Sequence, residues 1–438
     1  MAIKQIDYGR GANQAFTAGY SSRIFADQFH DQTTYEAAET YRDAYESYER
    51  IKKLSEWKWI RGLGFSTTYD SNVFASRQDP LNDTLFSYNP LIGVSRNEKF
   101  LSFLVLYQPA YIQYQKNVQL SRWNHEMTTD VGLHLQRLKR LKVKVKNSFK
   151  PDTTYEVGER GELKSPGSSQ VTTYSDNGEI KAIYDVSSKT QLLLTYNASL
   201  YYFPAKSNSG SSSIQSFSSL TQSWTPSVSY RILPKTSVHA DYLYQTSEYL
   251  KGGRFGSQNS MITVGIAGPM SGKTAYTVDV GFSERTYDDA TIPTANGLNL
   301  KTAISRKFTP KISGTLAYTR DINEDFDQTQ SQSFQRSTDF YSVNATWLFR
   351  PRVRVDGQAS IVVNSKEGFI TLADTENPKL LFTREEEDVI YQYGVDVIWK
   401  PSKAWSVSVS YRYFNKNSSF KTFEYDRQTV LGTVGMTF

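Results

Sequence analysis

The chain has 438 residues, is 38% hydrophobic and carries a formal net charge of +6. That charge is mild and does not point to nucleic acid as a partner. No uninterrupted apolar run reaches the ~20 residues a membrane helix requires, and the absence of cysteine excludes disulfides, thiolate metal sites and thiol nucleophiles.

Aromatic residues make up 14% of the chain, led by 30 Tyr and 24 Phe, which is rich for an ordinary soluble domain and fits aromatic girdles at two membrane interfaces. In lipid only helices and closed barrels satisfy their backbone polar groups. A barrel hides its apolar surface from hydropathy because every second residue faces the lumen.

Met1, Ala2, Ile3 and Lys4 lack the apolar stretch of a signal peptide, so an exported protein is expected to be numbered here as its mature form. Residues 1–32 show no clear period. Thr33 and Glu36 have the spacing of a capping box. Ala38, Tyr41, Tyr45, Tyr48, Ile51 and Leu54 then recur every three or four residues, which predicts one amphipathic helix over 34–54. Its stripe is mostly tyrosine and needs a partly wet surface. Tyr41, Tyr45 and Tyr48 are expected to plug a pore or to dock a periplasmic partner. Residues 1–56 are therefore set apart as a periplasmic extension.

From Trp57 onward a two-residue alternation replaces the helical period. Strands are expected at 57–69, 85–95, 100–114, 123–137, 141–149, 171–186, 190–203, 219–232, 236–247, 258–267, 274–286, 296–308, 311–321, 336–349, 352–364, 387–400, 404–415 and 423–438. Short connections alternate with long ones rich in Ser, Gly, Asn, Asp and Gln. An even strand count with alternating turn lengths is the pattern of a bacterial outer-membrane barrel. Both ends of the barrel then fall on the short-turn, periplasmic side. The third strand departs from the pattern, because Leu104, Leu106 and Ile112 put apolar residues on its inner face as well. That face is expected to pack against something, with the N-terminal segment the candidate. Phe438 closes the last strand and resembles the C-terminal assembly signal of outer-membrane barrels.

Ala267 to Thr274 matches a relaxed phosphate-loop pattern, but such a site needs a helix after the loop, and Ala275 to Arg285 alternates like a strand. A six-residue turn over 268–273 is expected instead. His30, His125, His134 and His239 lack metal spacing. Asp288 and Asp289, Asp321 to Asp327 and Glu385 to Asp388 read as solvated loop acids. No catalytic residue, metal or cofactor is expected. If Leu141, Val143 and Val145 face lipid, then Lys142, Lys144 and Lys146 face the lumen. Arg231, Arg285, Lys301, Arg352, Arg354 and Arg412 join them, since a charge facing lipid at mid-membrane costs about 2–4 kcal/mol. This basic set is either a path for an anionic cargo or a set of partners for inner acids such as Asp279, Asp356 and Asp396.

Tyr69, Asp70, Asn72, Val73 and Phe74 close the first strand after a Gly-rich aromatic stretch from Gly62. This motif resembles the opening of the outer-membrane β-barrel family, of the porin type, that is associated with exopolysaccharide gene clusters. The resemblance implies a barrel that passes a secreted polysaccharide through the outer membrane beside a periplasmic export protein. The combined expectation is an all-β fold: a transmembrane antiparallel up-and-down barrel of about eighteen strands over 57–438, embedded in outer-membrane lipid, with a short N-terminal helical extension. In the export role, tyrosines would stack on sugar rings. A porin for small anionic solutes and a structural barrel anchoring a surface or periplasmic assembly are the alternatives.

Overall fold

The computed structural model describes residues 57–73, 80–98, 101–134, 140–155, 170–202, 218–250, 256–289, 294–326, 333–371, 381–402, 404–419 and 424–437. The expected helix with Tyr41, Tyr45 and Tyr48 lies outside the described residues, as do Phe74 and Phe438.

Eighteen strands make up the described chain. The first nine are β1 (Lys58–Asp70), β2 (Asp83–Asn97), β3 (Leu101–Tyr114), β4 (Arg122–His134), β5 (Leu141–Tyr155), β6 (Gln170–Asp185), β7 (Thr190–Tyr202), β8 (Ser219–Leu233) and β9 (Thr236–Tyr249). The second nine are β10 (Ser257–Ser271), β11 (Thr274–Tyr287), β12 (Ala295–Lys307), β13 (Ile312–Phe326), β14 (Ser333–Arg350), β15 (Val353–Thr371), β16 (Leu381–Trp399), β17 (Trp405–Ser418) and β18 (Tyr425–Thr437). Each strand pairs with its chain neighbours, and β18 returns antiparallel to β1 from Gly62↔Thr437 to Asp70↔Thr429. The sheet closes on itself and has no free edge, so every strand can span lipid with its backbone paired. The shortest strands have 13 residues, more than the 9–11 that a tilted membrane strand needs.

The expected strand count and the alternation of turn lengths both hold. One turn differs. β10 continues through Pro269 to Ser271 with a register shift, and only Gly272 and Lys273 form the turn. β11 follows at once, so the phosphate-loop pattern has no helix behind it. The only helical element among the described residues is a single 3₁₀ turn, Val118–Leu120, between β3 and β4.

Side-chain parity sorts the wall into two faces. Leu63, Ile92, Val264, Val280, Leu316, Val343, Val397 and Val409 are exposed on the outer face, where lipid would cover them. Aromatic residues flank this aliphatic band. Toward the long loops, Phe65 meets Tyr88 at 5.3 Å, Tyr196 meets Trp224 at 4.3 Å and Tyr393 meets Tyr413 at 4.7 Å between ring centroids. Toward the short turns, Trp57 meets Phe103 at 5.7 Å and Trp347 meets Phe349 at 4.9 Å. Amphipathic rings at two levels mark the two membrane–water interfaces.

The β2–β3 ladder lapses at one place. Pairing runs from Leu85↔Tyr114 to Tyr88↔Tyr111 and resumes at Ile92↔Tyr107. Pro90 and Pro109 lie opposite one another in that gap, and neither has an N–H to give.

Candidate functional site: the lumen wall

The inner face is mostly polar, as an aqueous lumen requires. β5 presents Lys142, Lys144 and Lys146 on its inner face, in register with His134, Gly132 and Asp130 of β4. The Lys142 ammonium lies 3.3 Å from Asp185, and that of Lys146 lies 3.9 Å from Asp130. Lys150 pairs with Glu126 at 2.8 Å and Lys181 with Glu179 at 2.7 Å. The basic ladder is therefore interleaved with acids from β4 and β6. Lys144, between two paired lysines, has no ion pair among the described residues and is exposed.

A second cluster spans β9 to β12. His239, Gly265, Asp279 and Lys301 occupy one row across these four strands. His239 and Asp279 are not neighbours in the sheet; they reach over β10 and meet at 3.3 Å. A Cβ on Gly265 would stand 2.1 Å from Asp279 Oδ1 and 2.4 Å from His239 Cε1, so the bridge exists because that position has no side chain. Asp241 approaches His239 at 3.6 Å. A recess of about 130 Å³ opens here, lined by Asn259, Met261, Arg285 and Lys301 among others. Arg285 is buried and donates to Ser257 Oγ at 3.2 Å.

The remaining predicted basic residues divide. Arg354 faces inward and donates to Asp356 at 2.7 Å; Arg412 faces inward and donates to Asp396 at 2.8 Å. Arg231 sits near the short-turn end of β8 and carries no ion pair among the described residues. Arg352 is a correction: it lies in the β14–β15 turn and donates to the Pro401 carbonyl at 2.6 Å, off the strand face where alternation had put it. The expected sugar-stacking tyrosines are a second correction. Tyr69, Tyr88, Tyr230, Tyr242, Tyr341, Tyr391 and Tyr393 are exposed on the outer face. Among the described residues only Tyr114, Tyr201, Tyr249, Tyr287 and Tyr425 point inward, all near the long-loop end.

The Tyr69–Val73 motif proves to be the fastening of the barrel seam. Asp70 is fully buried and takes both arms of Arg427 from β18, Nε at 3.0 Å and Nη2 at 2.5 Å. These residues are 357 positions apart. Asp70 also accepts from Asn72 N at 3.0 Å, and Asn72 donates from its amide to the Asp426 carbonyl at 3.1 Å. Asp83 lies directly opposite Asp70. It accepts from the backbone of Thr84, Lys116 and Asn117 and from the Asn117 amide, at 2.7–3.0 Å, which ties the β3–β4 loop to the same rim. Sequence reasoning missed Arg427 and Asp83, because neither is near Asp70 in the chain and only the closed register brings them together.

Residues 62–438 match the model of the family described as "Putative beta-barrel porin 2". No curated protein matches the chain. Among solved structures, it resembles the FrpB iron transporter from Neisseria meningitidis. The F3-3 variant superposes with TM-score 0.51 at 8% identity over 86% of this chain and 64% of that one. The chain thus spans somewhat less than two thirds of that transporter structure. The F5-1 variant gives 0.50 at 9% identity over 90% and 84%. The outer membrane protein OpdK from Pseudomonas aeruginosa gives 0.48 at 9% identity over 87% and 99%. At such identities the likeness is one of fold.

Proposed function

The chain belongs to this porin family and so to the bacterial outer membrane, and from that premise we propose that it is a passive pore for small hydrophilic solutes, with a preference for anions. The supporting observation is the inward ladder of β5, where Lys144 stands exposed without an ion pair among the described residues. Arg231 and Lys301 add further inward cations. Fixed charge on a pore wall biases the ions that pass. Most other inner cations are neutralised by adjacent acids, so the bias is modest. In this reading the short turns and residues 1–56 face the periplasm, and the long loops face outward.

The test is the reversal potential across a planar bilayer in a potassium chloride gradient. The wild-type pore should favour chloride, and Lys144→Glu should move the reversal potential toward cation selectivity. An unchanged potential in that variant removes Lys144 from the path. A barrel that conducts neither ion would support the structural, anchoring role instead.

Export of an exopolysaccharide beside a periplasmic protein is the second reading. It rests on the resemblance carried by Tyr69, Asp70, Asn72 and Val73, residues that fasten the seam. The outward tyrosines take away its stacking surface along most of the wall. Normal surface polysaccharide after deletion of the gene would end that reading.

A further inference from the structure

One sector of the inner wall is apolar, unlike the rest. Ile60, Gly93 and Leu106 form a row across β1, β2 and β3. A Cβ on Gly93 would lie 2.5 Å from Leu106 Cδ2 and 3.5 Å from Ile60 Cβ, so the glycine lets the two side chains close over β2. Leu91, 2% exposed, packs against both. Leu104, in the next row opposite Ser95, is 7% exposed. The inner positions of β1 beside them are Gly62 and Gly64, and Gly64 faces Gly435 of β18. The result is a shallow trough with an apolar flank, at the short-turn half of the barrel. Two polar atoms within it have no hydrogen-bond partner among the described residues: Ser95 Oγ, on a residue 2% exposed, and Gln108 Nε2. On β5, by contrast, the inner lysines Lys142 and Lys146 keep side-chain exposures of 48% and 49%. One side of the lumen is open to water, and the side at β1–β3 is shaped to be covered.

We propose that residues 34–54 are the cover: an amphipathic helix docked inside the lumen against Ile60, Leu91, Leu104 and Leu106. Residues 1–56 lie outside the described residues and lead into β1 at its short-turn end, beside the trough. Only Ser55 and Glu56 separate Leu54 from Trp57, a reach of about 10 Å over three residue steps, so the end of the helix is held at the mouth of the trough. A helix of that length extends about 30 Å. Its stripe of Tyr41, Tyr45, Tyr48 and Ile51 suits the surface: rings cover leucines, and hydroxyls meet polar atoms that otherwise lack partners. The other long segments outside the described residues, such as 156–169 and 203–217, join strands at the opposite end. At the same end, 99–100 and 135–139 are too short to cover the trough.

Because the chain has no cysteine, paired single cysteines read the contact without background. Full-length protein in lipid vesicles would carry Tyr48→Cys with Leu104→Cys, and Tyr45→Cys with Leu106→Cys. Tyr48→Cys with the outward Val105→Cys is the control. Heat-modifiable gel migration confirms that each variant has folded. The inner pairs should form intramolecular disulfides under mild oxidation, identified by mass spectrometry, and the outer pair should not. A second measurement uses Leu104→Cys alone: its alkylation by a polar maleimide should rise about ten-fold or more when residues 1–54 are removed, as expected for loss of a protecting segment. Equal cross-linking to Val105, cross-links only between two copies, or an alkylation rate that ignores the truncation would each overturn the proposal. A long loop or bound detergent as the cover would give that last result. Neither readout depends on conduction, so failure of the pore reading and failure of this one are separable.

Discussion

The Asp70–Arg427 pair makes a sharp prediction about the seam. Asp70 is fully buried and the Arg427 side chain is 7% exposed, so neither charge has bulk water to fall back on. Replacing Arg427 with Met strands a buried carboxylate, which costs about 3–5 kcal/mol. Asp70→Asn should cost a similar amount by taking the buried carboxylate away from the guanidinium, while its amide oxygen can still accept from Asn72 N. The double variant, with neither charge, should recover much of the loss, since a buried ion pair replaced as a unit can be close to neutral. The coupling energy, which is the sum of the two single costs less that of the double, should then be at least about 3 kcal/mol, at the upper end for touching residues. Urea unfolding in lipid vesicles, followed by tryptophan fluorescence and by heat-modifiable migration, measures all four proteins. If each single variant costs less than about 1 kcal/mol and the costs add, the seam is held by its backbone ladder and the reasoning is wrong.

Other outcomes follow from the same geometry. Asp83→Ala removes the acceptor for four donors and should cost about 3 kcal/mol, at ~1.5–3 for each bond to a charged group with strong non-additivity; limited proteolysis should then cut within 115–121. Gly265→Ala should destabilise by about 1–3 kcal/mol through overpacking against His239 and Asp279. Adding Asp279→Ala should restore part of that, and an unrestored double variant would locate the strain elsewhere. Val264→Lys, on the outer face, should cost about 2–4 kcal/mol in bilayer unfolding, and Thr263→Lys, one residue away on the inner face, should cost far less. Equal costs would mean the face assignment is inverted.

Much of the wall could be read from the chain, because a strand with one lipid face and one wet face leaves a two-residue signature in the sequence. Val389, Tyr391, Tyr393, Val395 and Val397 share one parity, and the structure puts them all outside. That parity already contradicted the idea of lumen tyrosines, since Tyr391 and Tyr393 alternate together with the lipid-facing valines. The inward lysines of β5 were legible for the same reason. Their partners were not: Lys142 meets Asp185 across 43 residues, and His239 meets Asp279 only by passing over Gly265. Pairing across strands depends on register, which alternation alone does not carry. Arg352 was misplaced by extending the alternation into a turn, where parity has no meaning. The motif at Tyr69–Val73 was visible as a pattern, but its task needed the last strand beside the first.

The facing prolines of β2 and β3 give the cylinder a crease. Most neighbouring strands are riveted at regular intervals, the β8–β9 ladder being interrupted likewise beside Pro226, so a bend imposed on an unbroken stretch spreads to its neighbours. Between Pro90 and Pro109 two rivets are missing by construction, and no change of solvent or temperature can supply them. The strands there are joined only above and below the gap, like a door on two hinges. Ovalisation of the barrel under lateral pressure from the bilayer should find a fold line here, beside the apolar trough on its inner side.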